Sequence, residues 1–189
     1  MVEYRKYKPE DREILRDICK SQATYHGKNK GKLECVCYMF IDYYLDYEPD
    51  NVIVAVDDGV VCGYIVGSTN LEQYIEKNRK EYARKIAKVS WVWSVFFRAC
   101  INTNKHWDSL GGYAFHINIA DGHQGKKIGT NLMHTAMKNA HDKGKKFLYL
   151  VTKNNKTDGY KFYSKLGFKV TKKLFGGSLL MTYDVQNWV

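Results

Sequence analysis

The sequence predicts an α/β fold, with helices flanking a mixed β-sheet. Apolar or alternating runs at 2–8, 52–57, 60–68, 114–119, 147–152, 167–173 and 178–185 read as strands. Segments whose apolar residues step by three and four separate most of them, giving the order β-α-α-β-β-(αα)-β-α-β-α-β-β. Length and composition agree: 189 residues with 44% hydrophobic and 14% aromatic content suit a single well-buried domain over 1–189.

Taken in order, Val2–Lys8 alternates Val2, Tyr4 and Lys6 against Glu3, Arg5 and Tyr7, as a first, edge-like strand would. Pro9-Glu10-Asp11 opens a helix with Ile14, Leu15, Ile18 and Cys19 as its apolar stripe. Tyr25–Lys32, rich in Gly and Lys, reads as a loop. A second helix is expected over Leu33–Tyr47, stopped by Glu48-Pro49. It carries Tyr38, Phe40, Tyr43, Tyr44 and Tyr47, more aromatics than one core face holds. The excess must line a pocket, build a second core or meet another subunit. Val52–Asp57 and Val60–Ser68 are strands joined at Asp57-Asp58-Gly59, a hairpin turn.

Leu71–Lys88 is charge-rich and helical in pattern, and Ser90–Ile101 is apolar on nearly every side, with Arg98 inside it. A helix apolar all round must be buried, either over a ligand site or at the interface of a homodimer. In Ala114–Ile119, Phe115, Ile117 and Ile119 share one face of a strand. The polar turn Ala120–Gly125 leads to a helix from near Lys126, where Ile128, Leu132, Ala136 and Ala140 form a stripe beside Met133 and Met137. Gly144 supplies its stop. Phe147–Thr152 is a strand and Thr157–Leu166 a helix, with Gly167 where a left-handed helix cap is wanted. Gly167–Lys173 and Ser178–Val185 are strands turning at Gly176-Gly177.

The net charge is +10, with lysines gathered at 126–127, 143–146, 153–156 and 169–173. Arginines or aromatics interleaved for nucleic acid are not evident, so most of these lysines read as solvated surface. Five cysteines form no Cys-x-x-Cys pair and no metal set, and their odd number argues against a disulfide framework. The start, MVEYRKYKPED, lacks an apolar signal region, and no run approaches a membrane span. A cytoplasmic location, with no membrane partner, is the expectation.

The unit at 114–145 carries the chemistry. A strand, a tight turn and a helix start leave unpaired N–H groups at the positive end of a helix dipole, which suits phosphate. The glycines at 122, 125 and 129 match neither a Walker A loop nor a Gly-x-Gly-x-x-Gly fingerprint. Gln124-Gly125-Lys126-Lys127-Ile128-Gly129 instead resembles the Gln/Arg-x-x-Gly-x-Gly/Ala pyrophosphate loop of the GNAT superfamily of N-acetyltransferases, with Lys127 in place of the middle Gly. Ordinary helix-start dihedrals would let Lys127 keep its side chain and still present its N–H. Phe162-Tyr163-Ser164-Lys165-Leu166-Gly167-Phe168 resembles the end of the family's fourth helix and the strand after it, and Gly63–Gly67 its third strand. The two main motifs stand in the family's order, and the specific resemblance covers 114–183.

The resemblance implies a GNAT (acyl-CoA N-acyltransferase) fold with a helical insertion, about 69–112, between the third and fourth strands. It implies transfer of an acetyl group from acetyl-CoA, without a metal, to a primary amine of a small molecule or protein. Backbone at positions matching Ile117 and Ile119 would pair with the amide-bearing arm of the cofactor. Gln124, Gly125, Lys126, Lys127, Ile128, Gly129 and Thr130 would bind its pyrophosphate, and nearby lysines its further phosphate. Asn155, or Asn154, would lie near the pantetheine. Tyr163 matches the residue that often serves as general acid for the leaving thiolate. Bases are common at positions matching Tyr113 and Phe115. Phe115 cannot act, and a tyrosine with a pKa near 10 is a poor base. His116 and Asn118 lie on the opposite strand face, where His116 reads as a satisfied structural residue. Glu48 and Asp46, acting through a water, are further candidates, as is an amine that arrives deprotonated. Lys127 and the missing strand base leave one alternative, a catalytically weak or inactive coenzyme-A-binding regulator.

Overall fold

The computed structural model describes residues 1–23 and 29–187. Its strands are β1 Val2–Lys6, β2 Ile53–Asp57, β3 Val60–Gly67, β4 Gly112–Ile119, β5 Phe147–Thr152, β6 Lys169–Lys173 and β7 Leu179–Asp184. They form one sheet in the order β1-β2-β3-β4-β5-β7-β6. Every neighbouring pair is antiparallel except β4 and β5, which run parallel. The α-helices are α1 Arg12–Ser21, α2 Lys30–Phe40, α3 Asp42–Tyr47, α4 Leu71–Lys77, α5 Ala83–Val89, α6 Trp91–Ser109, α7 Ile128–Asp142 and α8 Asp158–Lys165.

Strand alternation divides the core. Val54, Val56, Tyr64 and Val66 point to the face covered by α1, α2 and α3, where Leu15, Ile18, Cys35 and Ile41 are buried. Ala55, Cys62, Ile65, Tyr113 and Leu148 point to the other face, covered by Ile128, Leu132, Met133 and Ala136 of α7. Each fully buried aliphatic side chain of this kind contributes about 1.5–3 kcal/mol. Asp11 ties β1 to the start of α1, accepting from Arg5 at 2.7 and 2.8 Å and from the Lys8 amide at 2.8 Å. All five cysteines are free thiols. No helix among the described residues is long and apolar enough to cross a membrane.

Several expected boundaries shift, each for a local reason. The first strand stops at Lys6, because Lys8 already precedes the turn Pro9–Asp11. The loop expected over 25–32 lies outside the described residues at 25–28. Lys30–Lys32 belong to α2, whose Asn29 cap accepts from the Lys32 amide at 3.1 Å. The helix expected over 33–47 breaks at Ile41, which has φ −134°. That break turns Tyr43 and Tyr44 into a second aromatic core against Tyr74, with Tyr43 and Tyr74 edge to face at 5.0 Å. A turn of π-helix at Asn78–Tyr82 interrupts the helix expected over 71–88. The strand expected over 114–119 starts earlier, at Gly112, and that over 167–173 later, at Lys169. Gly167 takes the left-handed cap expected of it, with φ +94°. The helix apolar on every side, now the first turns of α6, is not fully covered. Ser94, Phe97 and Ile101 face inward, while Trp91 is 71% and Phe96 58% exposed.

Candidate active site

The sheet opens beside its parallel pair, β4 and β5. Gly112–Ala114 pair with Phe147–Tyr149, after which β4 follows β3 and β5 follows β7, leaving a gap between them. The Ala120 amide donates to the Cys62 carbonyl at 2.8 Å. Antiparallel pairs alternate between bonded and non-bonded, so Asn118 and His116 spend their backbone groups on β3. The backbone N–H and C=O groups of Ile117 and Ile119 therefore point into the gap.

At the mouth of this gap the turn 120–127 runs into α7. Gly122 and Gly125 have φ of +83° and +81°, and open space lies where a side chain would project from either. Among the described residues, none accepts a backbone hydrogen bond from Gln124–Thr130. The first helical amide to donate is Asn131, to the Lys127 carbonyl at 3.1 Å. Lys127 departs from the expectation of ordinary dihedrals: its φ is +62°, the left-handed region in which the family's glycine is at ease. For a side-chain-bearing residue that conformation costs roughly 1–2 kcal/mol. Gly129 lies under the Phe162 ring, which a Cβ would approach to 3.2 Å.

The turn is anchored from outside. Asp57, at the end of β2, accepts from Lys126 Nζ at 2.7 Å, and His123 Nδ1 lies 3.1 Å away. Lys126 first, and His123 after it, hold the Asp57 carboxyl below its usual range. Gln22, which caps the C-terminal end of α1, donates to Asp121 at 3.0 Å. The Lys126 ammonium is thus engaged by Asp57, and its backbone is what faces the gap's mouth.

Tyr163 projects from α8 into the aromatic group of Phe115, Phe162 and Phe168, with ring centroids 6.0, 5.2 and 5.5 Å away. Burial raises the pKa of its hydroxyl, which keeps it neutral across ordinary pH. No described residue hydrogen-bonds to that hydroxyl. In the β5–α8 loop the Asn154 side chain accepts from the Lys156 amide at 2.9 Å, whereas Asn155 is exposed.

Two of the base candidates are consumed elsewhere. Glu48 accepts from Tyr43 and Asn51, each at 2.7 Å, from Ser68 at 2.6 Å and from the Thr69 amide at 2.7 Å. It is an anchor for the β3–α4 junction, fully occupied. Asp46 accepts from Arg12 at 2.7 Å and from Tyr82. Tyr113 is 2% exposed and lies against Gly67, where any side chain would collide with its ring. His116 lies on the opposite face, as expected, stacked on Phe40 at 4.9 Å with its Nε2 3.1 Å from the Asn118 amide. It is not buried, however. It borders a cavity of about 790 Å³ roofed by Val92, Trp93 and Phe96 of α6.

Sequence reasoning read Asp57 only as part of a hairpin, because nothing local marks a partner in Lys126. The cavity was equally hidden: it joins α1, α2, α6 and β4, and only the surplus aromatics of α2 and α6 hinted at it.

A family model described as the acetyltransferase (GNAT) family matches residues 15–168. Among solved structures, the crystal structure of SsHAT is similar over 97% of this chain and 98% of that one, with 20% identity and a TM-score of 0.80. The PaiA N-acetyltransferase from Thermoplasma acidophilum, in complex with coenzyme A, gives 19% identity and a TM-score of 0.64 over 97% of this chain and 99% of that one. YncA from Salmonella typhimurium, a putative acetyltransferase with its cofactor acetyl-CoA, gives 15% and 0.59 over 98% and 95%. No curated protein sequence matches significantly. At these identities the structures speak for the fold, whereas the family model spans most of the sequence, and the chain therefore belongs to the GNAT acetyltransferase family.

Proposed function

We propose that the protein is an acetyl-CoA-dependent N-acetyltransferase acting on a primary amine of a small molecule or protein. The observation that carries this reading is the sheet gap beside a run of backbone amides without internal partners. Those amides fit a diphosphate: they converge at a helix start, and the glycines leave the space before them open. Gln124–Thr130 would hold it there, while the gap-facing backbone of Ile117 and Ile119 would pair with the amide-bearing arm and Asn155 would sit beside it.

Acetyl-CoA supplies an acetyl group activated as a thioester. The residues of this chain position it and manage charge. Backbone N–H groups of β4 facing the gap can stabilise negative charge on a carbonyl oxygen without reorganising. The Tyr163 hydroxyl, neutral and without a partner among the described residues, can donate to a leaving thiolate. Phe115, Phe162 and Phe168 keep water from that hydroxyl.

A thermal-shift screen with acetyl-CoA, coenzyme A, ATP and NAD tests the cofactor, followed by thiol release over a broad amine panel. Stabilisation by the two coenzyme A species alone, with turnover on at least one amine, is expected. Stabilisation without turnover on any amine would favour the regulatory alternative.

A further inference from the structure

The acetyl-transfer reading leaves the acceptor unnamed, and the face of β4 away from α7 speaks to it. The cavity there is about 790 Å³, the size of sites that enclose a small organic ligand. Its walls are Val36, Met39 and Phe40 of α2 and Val92, Trp93 and Phe96 of α6. Its polar lining is Cys19, Gln22, Lys32, His116 and Asn118, with no carboxylate among the described residues. A polyamine or a lysine-rich tail needs acidic partners, and a chain of net charge +10 with Lys32 on this wall repels such ligands. An amine bearing one positive charge on an apolar body meets less of that repulsion and gains from the apolar walls.

At the floor, one histidine is held on several sides. Phe40 stacks on the His116 ring at 4.9 Å and 18°. The Asn118 amide lies 3.1 Å from its Nε2 and 2.8 Å from the Tyr64 hydroxyl. The two ends of an amide are interchangeable in outline. As placed, the Asn118 Nδ2 donates to the Tyr64 hydroxyl and faces Nε2; turned end for end, the amide would accept from His116 Nε2–H and from Tyr64 and make Nδ1 the basic nitrogen. The titratable or charged groups around the ring are Tyr64 on β3, Cys19 on α1 and Lys32 on the α2 wall. Cys37 and then His116 act to hold the Cys19 thiol below its ordinary value.

We infer that this cavity receives the acceptor, a monoamine carried on an apolar or aromatic body, and that His116, oriented by Asn118, takes its proton. The step balances. One proton passes from the ammonium to His116 and frees the nitrogen lone pair. The N–C bond forms as the thioester C–S bond breaks. The nitrogen's second proton replaces the one that Tyr163 gives to the thiolate. His116 then returns its proton to solvent, so each turnover releases one.

The test uses the full chain with coenzyme A bound, titrated calorimetrically with 2-phenylethylamine, spermidine and a lysine-containing peptide, together with acetyl-transfer rates across pH. Phenylethylamine should bind at least about tenfold more tightly than spermidine or the peptide. Phe96→Lys, at a 58% exposed position, adds a charge at the roof with little threat to folding and should abolish that preference. His116→Gln keeps a partner for Asn118. It should lower kcat by about 100- to 10,000-fold at neutral pH, with the deficit shrinking as the amine deprotonates unaided. An unshifted kcat in His116→Gln, or tighter binding of spermidine or the peptide, would overturn the inference. Acetyl-CoA thermal shifts separate the levels. A shift retained in both variants assigns their losses to the cavity. Its absence in the wild type would overturn the acetyltransferase reading and the role of His116 with it.

Discussion

The two sides of β4 are built from different materials. Toward α7, the site consists of backbone: amides at the helix start, gap-facing groups of Ile117 and Ile119, and a turn shaped by glycines. Toward α1, α2 and α6, it consists of side chains: a stacked histidine, an amide, a thiol and an aromatic roof. Backbone recognition tolerates wide changes in sequence and suits a ligand that does not vary. Side-chain recognition follows every substitution and suits a ligand that does. In the proposed mechanism the cofactor takes one side and selectivity among acceptors the other.

The largest effect should come from breaking the backbone side. Gly129→Asp sets a carboxylate at the helix start, under Phe162, and removes hydrogen bonds to phosphate worth roughly 1.5–3 kcal/mol each. Acetyl-CoA affinity should fall by at least about 100-fold in a protein that still folds, as read by calorimetry and circular dichroism. Unchanged affinity would place the cofactor elsewhere.

Tyr163→Phe keeps the ring among Phe115, Phe162 and Phe168 and removes only the hydroxyl. Turnover should drop by about 100- to 10,000-fold while acetyl-CoA affinity and melting temperature barely move. Normal turnover would make Tyr163 a packing residue. Joint loss of stability and activity would make its hydroxyl structural.

Asp57→Asn tests whether the turn must be held from outside. Loss of the Lys126 and His123 contacts should weaken acetyl-CoA roughly tenfold without touching kcat. The pH dependence has a definite sign. The carboxyl is held below its ordinary 3.8, so the anchor is fully present above that value and is lost only as pH falls through the lowered one. Wild-type affinity that fell between neutral pH and 5 would need another titrating group.

The smallest effect concerns Lys127. Gly at this left-handed position should raise stability by about 1 kcal/mol, or about 2–4 °C in melting temperature. A gain in acetyl-CoA affinity as well would show that the lysine also crowds the phosphates.

What the sequence revealed follows the same division. The strands, the α7 stripe and the caps at Gly144 and Gly167 were legible, because they follow from local periodicity and local dihedrals. So was the turn at 124–129, since it is one contiguous segment. The break at Ile41 was not, because no proline or glycine marks it; packing of Tyr43 and Tyr44 on Tyr74 sets it. Nor was the left-handed Lys127, where tertiary anchoring through Lys126 and His123 overrides local preference. Glu48 and Asp46 read as free carboxylates by type, and only the folded chain shows them saturated. Contacts between residues far apart in sequence leave no local trace.

The most direct test of the division is amide-proton NMR of the full chain titrated with coenzyme A. The account predicts large shifts in the amides of Gln124–Thr130 and in those of Ile117 and Ile119, with α2 and α6 nearly still. Shifts concentrated at Phe40, Trp93, Phe96 and His116, with the turn unmoved, would contradict it.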